Sequence, residues 1–381
     1  MMIVLLILAA LVIFEYAGYP VLLWLLAAVK SRPVVKQTIY PSATVIIAAY
    51  NEASSIRDTI ANKLELAYPS DKLSVIVVSD GSDDGTDDIV REFSSNRVTL
   101  LRQEPRQGKT AALNMAAAHA RSDILVFADA NSMYAADALE RLASNFADPA
   151  VGYVTGKMVY VSRSESGVSE GCSTYMKYEN MLRVIETRIG SIVGVDGGID
   201  AVRTELYTPM DPSLLPDFVL PLNVVEQGYR VVYEPAATLK EEALDNVGGE
   251  YRMRVRVSLR AFHAMWRKRN LFNPLRYGLF SFQLLSHKLL RYWVGYLMAL
   301  ILLISAALAQ TAWVRAFLGA QIVCYCMALG GWYLARKGRS PAVLYIPFYF
   351  CLVNVAAAEA FLRFLKGEQQ IMWKPREGDM T

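Results

Sequence analysis

The sequence predicts an α/β domain over residues 40–245, with transmembrane helices on both sides of it. Hydrophobic residues make up 54% of the 381 residues and concentrate at the two ends, which is more than one ordinary soluble domain carries. In the middle, β-branched apolar runs alternate with helical patterns, as is typical of a largely parallel sheet covered by helices on both faces. The formal net charge is only +3, so nucleic acid is not expected as a partner.

Cysteine and histidine usage excludes two further classes of site. Three of the four cysteines (Cys324, Cys326 and Cys351) lie in apolar C-terminal stretches, without the spacing of a disulfide framework or a metal site. The three histidines are scattered along the chain. A zinc site is therefore not expected.

Residues 1–30 predict an N-terminal transmembrane helix. The run exceeds the roughly 20 residues needed to span a bilayer, and it lacks the small-residue cleavage site of a signal peptide. The basic residues Lys30, Arg32 and Lys36 follow it and place that end in the cytoplasm. Glu15 interrupts the run, and a carboxylate at membrane depth is costly. Either the helix slides until Glu15 nears the outer interface, which we favour, or Glu15 meets a polar partner in another span.

The α/β domain is predicted from its local patterns. Strands are expected at residues 43–48, 73–78, 124–127 and 230–233, where β-branched apolar residues cluster. Helices are expected between them, at residues 54–66, 83–93, 109–119 and 136–146.

The C-terminal part divides into three segments. Residues 246–290 predict basic amphipathic and interfacial helices, and residues 291–363 predict about three transmembrane helices, followed by a tail over residues 364–381. The basic link at residues 336–339 is expected in the cytoplasm. A fourth span would then leave the tail outside, although its basic residues prefer the inside. The alternative to a fourth span is that the last segment is re-entrant or lies in the membrane interface.

Four turns at strand ends carry the polar residues: residues 48–52, 79–86, 106–110 and 129–131. The second is not a calcium loop, because its twelfth position is Arg91 and not a bidentate Glu. The third is not a Walker-type phosphate loop, because Gln103 stands where the first glycine belongs.

The turn after residue 128 has the residues of a divalent-cation site. Asp129 ends an apolar strand and Asn131 follows two residues later, at the edge where open α/β sheets bind ligands. Carboxylate and amide oxygens suit Mg²⁺ or Mn²⁺, usually shared with substrate phosphates. The alternative is a β-turn with Asp and Asn as ordinary turn residues.

Together, the four turns resemble family 2 glycosyltransferases, in the integral-membrane branch of bacterial polysaccharide enzymes related to cellulose and hyaluronan synthases. The resemblance covers about residues 40–270. It implies a glycosyltransferase A-type (Rossmann-like) fold, a nucleotide-diphosphate sugar donor with uridine as the favoured base, a divalent metal and inversion at the anomeric carbon. By position it implies the following donor-site residues: Ala48, Tyr50, Glu52 and Asp80 for the nucleoside, Lys109 for the diphosphate, and Asp129 with Asn131 for the metal.

The same resemblance assigns two motifs to the acceptor and the general base. Residues 194–203 resemble the acceptor-side loop, which implies roles for Asp196, Gly197 and Arg203. Residues 216–222 resemble the motif that carries the base, which implies that Asp217 deprotonates the acceptor hydroxyl. The alternative for Asp217 is a helix N-cap before residues 218–225.

A basic segment at residues 250–260 carries Arg252, Arg256 and Arg260 at a spacing of four, which aligns them on one helix face. Arg260 is expected either to contact the diphosphate or to lie on a helix that docks on anionic lipid headgroups. The Q-x-x-R-W motif of processive synthases is absent, because Val257 and Ala261 occupy its Gln and Trp positions.

Taken with the predicted membrane segments, the resemblance implies a membrane-embedded, inverting, metal-dependent glycosyltransferase in the bacterial inner membrane, with its catalytic domain in the cytoplasm. The expected partners are a nucleotide sugar, a lipid-linked or polysaccharide acceptor, and membrane lipids. A processive polysaccharide synthase and a non-catalytic membrane scaffold are the alternatives. A sugar nucleotidyltransferase is disfavoured, because residues 48–52 contain no glycine.

Overall fold

The structure, a computed structural model, describes residues 1–93, 97–161, 167–242, 247–337 and 341–370. It contains two compact units. The sheet unit comprises Ser31–Val161, Arg183–Glu241 and Gln369–Thr381, and the membrane-helix unit comprises Met1–Lys30, Ser162–Leu182 and Glu242–Glu368. The sequence predicts the catalytic domain as one continuous range, 40–245, and within that range residues 167–182 cluster with the membrane helices.

Within the described residues, the sheet unit is built on a mixed sheet of eight strands. The strands are β1 (Ala43–Ala49), β2 (Leu73–Ser79), β3 (Val98–Arg102), β4 (Ile124–Asp129), β5 (Met133–Tyr134), β6 (Val151–Val161), β7 (Ile199–Arg203) and β8 (Arg230–Glu242). Their order across the sheet is β3-β2-β1-β4-β7-β6-β8-β5.

Strands β1 to β4 form the parallel half of the sheet. The sequence predicted β1, β2 and β4, whereas β3 was not predicted. Every residue of β1 is buried, which is why it reads as an unbroken apolar run and not as an alternating one. Beyond β4 the direction reverses, since β7 pairs antiparallel with β4 and with β6. The chain therefore closes its sheet with strands that the simple alternation of strands and helices does not predict.

Helices cover the sheet and position its turns. In the sheet unit they are α3 (Ile56–Leu64), α4 (Thr86–Glu92), α5 (Lys109–His119), α6 (Ala138–Ser144) and α8 (Pro216–Glu226). The main core cluster packs residues from both halves of the sheet with α3, α4 and α6, for example Ile60, Val126 and Leu139.

The membrane-helix unit contains the long apolar helices. The helices of this unit are α1 (Met2–Ile13) and α2 (Tyr19–Val29), joined by the π-helix Phe14–Gly18, then α9 (Val247–Arg267), α10 (Pro274–Tyr277), α11 (Leu279–Gln283), α12 (Arg291–Ala307), α13 (Ala312–Ala335) and α14 (Ala342–Leu365). A further helix, α7 (Gly167–Ile189), has its first part in this unit and its last residues in the sheet unit.

Within the described residues, four helical segments are long and apolar enough to cross a membrane: Met2–Val29, Leu279–Ala307, Ala312–Ala335 and Val343–Leu365. The second begins before the boundary at residue 291 that the sequence predicted. Two residues of the basic link, Gly338 and Arg339, lie outside the described residues, as does the tail from residue 371 onward.

Glu15 has a polar partner inside the unit, which is the less favoured of the two alternatives above. Its side chain is fully buried and accepts a hydrogen bond of 2.8 Å from Arg291 Nε of α12. Arg291 also pairs with Glu179 of α7, whose second oxygen lies 3.1 Å from His287 Nε2. Burial alone would raise the pKa of Glu179, but Arg291 and His287 hold it well below its ordinary value. An internal ion pair therefore replaces the expected slide toward the interface.

We expect Arg291→Met to lower the melting temperature of the detergent-solubilised protein strongly. The substitution leaves two carboxylates in buried positions without their cation, and breaking a buried pair in this way costs about 3–5 kcal/mol. The matched control is Arg315→Met in α13, whose side chain is exposed. Equal melting temperatures for the two variants would show that the Glu15–Arg291–Glu179 network contributes little to stability.

Candidate active site

The ends of β1, β2 and β4 meet at one edge of the sheet. Ala49 is in register with Ser79, and Ala48 is in register with Asp129. Because the three strands are parallel, the turns that follow them leave the sheet on the same side. The predicted nucleoside and metal residues therefore share one edge of the sheet. Ala48 lies within β1, one residue before the end of the strand.

The first two turns are locked together by hydrogen bonds. Asn51, which has a left-handed φ of 54°, exchanges two bonds with Asp83, one from its side-chain amide and one to its side-chain oxygen. The amide of Glu52 donates to Thr86 Oγ1 at 2.9 Å, and its buried carboxylate accepts from Ser55 Oγ. Glu52 thus holds the start of α3, and any nucleoside contact it makes would be additional to this role.

Asp80 organises the loop that leads to Lys109. Its carboxylate is 1% exposed and accepts hydrogen bonds from the Gln103 side chain and from the backbone amides of Gln107 and Gly108. Arg106 Nε lies 3.3 Å from the same carboxylate. The arrangement fixes the residues immediately before α5, so Asp80 has a positioning role beyond the predicted nucleoside contact.

Tyr50 presents an aromatic face beside this loop. The guanidinium of Arg106 lies 3.3 Å from the centre of the Tyr50 ring, within the range of a cation–π contact. A nucleobase stacks favourably on either group. Arg106 is a residue of this edge that the sequence analysis did not single out.

Lys109 lies between Asp129, the predicted metal ligand, and Asp217, the predicted general base. Its Nζ donates to Asp129 Oδ1 at 2.7 Å and lies 3.8 Å from Asp217 Oδ2. Burial opposes the charged form, but Asp129 and Asp217 together raise the pKa of Lys109 above its ordinary value. The structure therefore brings Lys109, Asp129 and Asp217 into one cluster with a permanently protonated ammonium at its centre.

Two glycines leave room for these carboxylates. Gly197 and Gly198 have φ values of +82° and +76°, which side-chain-bearing residues rarely adopt. A Cβ on Gly197 would lie 2.9 Å from the Asp217 carboxylate, and one on Gly198 would lie 3.1 Å from Asp129 Oδ2. The absence of both Cβ atoms keeps the two carboxylates accessible.

We expect Gly197→Ala to reduce the activity of the site by more than about 10-fold. The new Cβ collides with Asp217, and the left-handed backbone adds about 1–2 kcal/mol of strain. Nucleotide binding should change much less, because the collision is with Asp217 and not with Asp129. Gly190→Ala is the matched control, since a Cβ there meets no atom within 4 Å. Equal effects of the two changes would contradict the close approach of Gly197 to Asp217.

Asp217 is the second residue of α8. The N-cap is Leu215, and it makes no side-chain capping bond. The alternative reading of Asp217 as the N-cap is therefore wrong. A carboxylate in the first helical turn is nevertheless favoured in its charged form by the helix dipole.

Asp200 is a buried acid that the sequence analysis missed. It lies in β7, is 1% exposed, and is in register with Phe127 and Thr155. Burial, with the charge of Asp217 as the next cause, raises the pKa of Asp200 to about 8. At neutral pH it is thus mostly protonated, which limits the negative charge around Asp217. A lone acid between Ile199 and Ala201, two residues after the glycine pair, was the available signal.

The predicted acceptor-side residues separate in the structure. Asp196 precedes Gly197 and is held by both terminal nitrogens of Arg183. Arg203, in contrast, pairs with Ile124 at the far end of β4, and its guanidinium donates to the carbonyls of Val151 and Phe146. The assignment of Arg203 to the acceptor side is therefore wrong, because β7 is antiparallel and carries its last residue away from the edge.

Arg260 belongs to the membrane-helix unit. It lies in α9 and is 8% exposed. Its contact with the diphosphate remains a prediction.

The side chains at the edge fit a divalent cation that is shared with a phosphate ligand. Asp129 and Asn131 are both partly exposed, and a Cβ on Gly198 would lie 3.1 Å from Asp129 Oδ2. Among the described residues, no group of three or more His, Cys, Asp or Glu side chains is arranged to hold a metal by itself. The two oxygen donors therefore need substrate oxygens and water to complete a coordination shell.

Comparison with known proteins gives the family of this site. Residues 44–211 match the model of the family described as Glycosyl transferase family 2. Poly-beta-1,6-N-acetyl-D-glucosamine synthase of Staphylococcus aureus (strain COL) is 26% identical over 238 residues, which cover 60% of this chain and 57% of that protein. A probable glycosyltransferase of Bacillus subtilis (strain 168), YdaM, is 28% identical over 232 residues, covering 57% of this chain and 54% of that protein. The chain thus aligns with little more than half the length of these relatives.

A solved structure extends the likeness to nearly the whole chain. The mannosyltransferase PcManGT from Pyrobaculum calidifontis, in complex with GDP-Man and Mn²⁺, superposes with a TM-score of 0.72 at 24% identity, covering 96% of this chain and 99% of that one. At this identity the likeness concerns the fold. Residues 44–211 thus belong to glycosyl transferase family 2, in a chain with the glycosyltransferase A-type fold and apolar helices long enough to cross a membrane.

Proposed function

We propose that this protein is an inverting glycosyltransferase that moves a sugar from a nucleotide-diphosphate donor to an acceptor hydroxyl at the membrane. The observation that carries the proposal is the position of Lys109, 2.7 Å from Asp129 and 3.8 Å from Asp217. A base for the acceptor, a cation for the leaving diphosphate and a metal-type ligand thereby lie within one cluster. Inverting transfer needs these three groups at a single anomeric carbon.

Asp217 would act as the general base. Its carboxylate would accept the proton of the acceptor hydroxyl as that oxygen attacks the anomeric carbon from the face opposite the diphosphate. The first turn of α8 and the nearby Lys109 ammonium favour its ionised form. The protonated Asp200 adds no competing charge next to it.

Lys109 would stabilise the leaving group. Its ammonium has three N–H donors, one of which is used by Asp129, and its raised pKa keeps it charged throughout. Phosphate oxygens developing negative charge would accept from the remaining donors. Asp129 and Asn131 would hold Mg²⁺ or Mn²⁺, which when bound supplies Lewis-acid stabilisation of the same diphosphate.

For the nucleoside we propose the surface made by Tyr50, Arg106 and the Asp80 loop, with the backbone at Ala48 and the Glu52 turn beside it. A uridine diphosphate sugar is the donor we favour. UDP-N-acetylglucosamine is the first to test, because the Staphylococcus aureus relative is named for a polymer of that sugar. We further propose that Asp196 and Gly197 line the acceptor side of the same cluster.

The proposed acceptor is a lipid-linked or polysaccharide glycan, met at the cytoplasmic face of the bacterial inner membrane. The four apolar helical segments support a membrane location. The basic residues after the first span, Lys30, Arg32 and Lys36, support a cytoplasmic catalytic domain.

A processive polysaccharide synthase is the second candidate. The name of the Staphylococcus aureus relative favours it, whereas Val257 and Ala261 in place of the Q-x-x-R-W residues argue against it. The length of the product separates the two: a single addition gives one discrete product, and a synthase gives a ladder or a polymer.

The first test is a donor screen on detergent-solubilised protein. Release of nucleoside diphosphate is followed with UDP-sugars and GDP-mannose, in Mg²⁺, in Mn²⁺ and in EDTA, with Asp217→Asn as the inactive control. Metal-dependent release from one donor by the wild type alone supports the proposal. If the protein neither binds a nucleotide nor releases nucleoside diphosphate from any donor, the proposal is contradicted and the non-catalytic scaffold is favoured.

A further inference from the structure

One face of α3 contacts the turn that carries Asp129 and Asn131. Thr59 Oγ1 donates to the carbonyl of Ala130 at 2.7 Å. The Asn62 side chain donates to the carbonyl of Tyr134 at 3.0 Å and accepts from its amide at 2.8 Å. Lys63 Nζ donates to the carbonyl of Ser132 at 2.5 Å. Three side chains at helical spacing thus fix the backbone of the segment directly after Asp129.

Lys63 is an unusual residue for such a position, because its side chain is fully buried. Its Nζ also donates to Asn62 Oδ1 at 2.9 Å and lies 3.9 Å from the centre of the Tyr134 ring. A buried amine is costly unless its N–H groups find acceptors, and here a carbonyl, an amide oxygen and an aromatic face supply them. Its partners are Asn62 and residues of the segment that follows Asp129.

Tyr134 connects this contact to the glycine pair. Its hydroxyl lies 2.8 Å from the carbonyl oxygens of Phe127, in β4, and of Gly198. Gly198 is the residue on which a Cβ would lie 3.1 Å from Asp129 Oδ2. Lys63, Tyr134 and Gly198 therefore form one continuous buried support for the partly exposed Asp129.

We propose that Lys63 and Thr59, together with Asn62, are positioning residues that preorganise the Asp129–Asn131 turn for a divalent cation shared with a diphosphate. The inference rests on the proposed function of that turn. None of the three residues is assigned a contact with substrate. Outer residues that hold metal ligands in place typically contribute 10- to 100-fold to metal affinity, because they remove the cost of ordering the ligands during binding.

The test uses the full-length protein in detergent and three variants. Lys63→Met removes the amine and keeps a long side chain. Thr59→Val removes the hydroxyl at nearly constant volume, and Thr59→Ser, its matched control, keeps the hydroxyl. The affinity for Mn²⁺ in the presence of UDP is measured by calorimetry, well below the melting temperature of each variant, which is recorded separately.

We expect Lys63→Met to weaken Mn²⁺ affinity about 10- to 100-fold and Thr59→Val to weaken it by a smaller factor, with Thr59→Ser close to the wild type. Lower melting temperatures at unchanged Mn²⁺ affinity would overturn the inference, because they describe a role in stability alone. If Lys63→Met does not fold, the comparison of Thr59→Val with Thr59→Ser decides. A wild type that binds no Mn²⁺ with any nucleotide contradicts the proposed function as well, whereas wild-type binding that every variant retains contradicts only the inference.

Discussion

Asp217→Asn should lower sugar transfer by about 10²- to 10⁴-fold, the range that a positioned general base contributes. The amide has the shape of the carboxylate but cannot take the proton of the acceptor hydroxyl. Nucleotide affinity should stay the same or rise slightly, because the substitution removes a negative charge 3.8 Å from Lys109, and Lys109 then attracts the diphosphate more strongly. Initial rates of nucleoside diphosphate release and calorimetric nucleotide binding measure the two quantities separately.

The control for this variant is Asp211→Asn, six residues earlier. Asp211 is exposed, and its carboxylate accepts bonds from the backbone and hydroxyl of Ser213. Near-normal transfer by Asp211→Asn would show that loss of a nearby acid is harmless in itself. Parallel loss of transfer and of nucleotide binding in Asp217→Asn would instead make Asp217 a structural residue.

Strands β1, β2 and β4 of the parallel half are predictable because each is a local signal in the sequence, whereas the edge strand β3 was not predicted. A fully buried parallel strand such as β1 is a continuous β-branched run. β6 and β7 were missed, each for a reason of its own. β6 (Val151–Val161) interleaves Gly152, Gly156 and Lys157 with its apolar residues, and β7 is five residues long with the buried Asp200 at its second position. Their antiparallel pairing depends on contacts distant in the chain.

The residues of the site likewise divide into those that the sequence predicts and those that it does not. Residues at the ends of parallel strands fall at one edge by geometry, so the common location of Asp80 and Asp129 follows from the sequence. Arg203 was misplaced because the direction of β7 determines which of its ends reaches that edge. Lys63 and Asp200 were not predicted, because an ionisable residue is expected at the surface unless its burial is known.

Asp129→Ala should abolish the metal-dependent part of nucleotide binding, with a loss larger than the 10- to 100-fold that outer residues contribute. Binding in EDTA should be retained or strengthened, since Lys109 loses its 2.7 Å bond to Asp129 and has a further donor for the diphosphate. Opposite signs with and without metal distinguish this result from unfolding, which would weaken both. Asp123→Asn, directly before the same strand and at its opposite end from Asp129, should leave both affinities unchanged. If Asp129→Ala binds nucleotide as tightly as the wild type in Mg²⁺ and Mn²⁺, Asp129 is not a metal ligand. No other carboxylate in the turn after β4 could replace it in the variant.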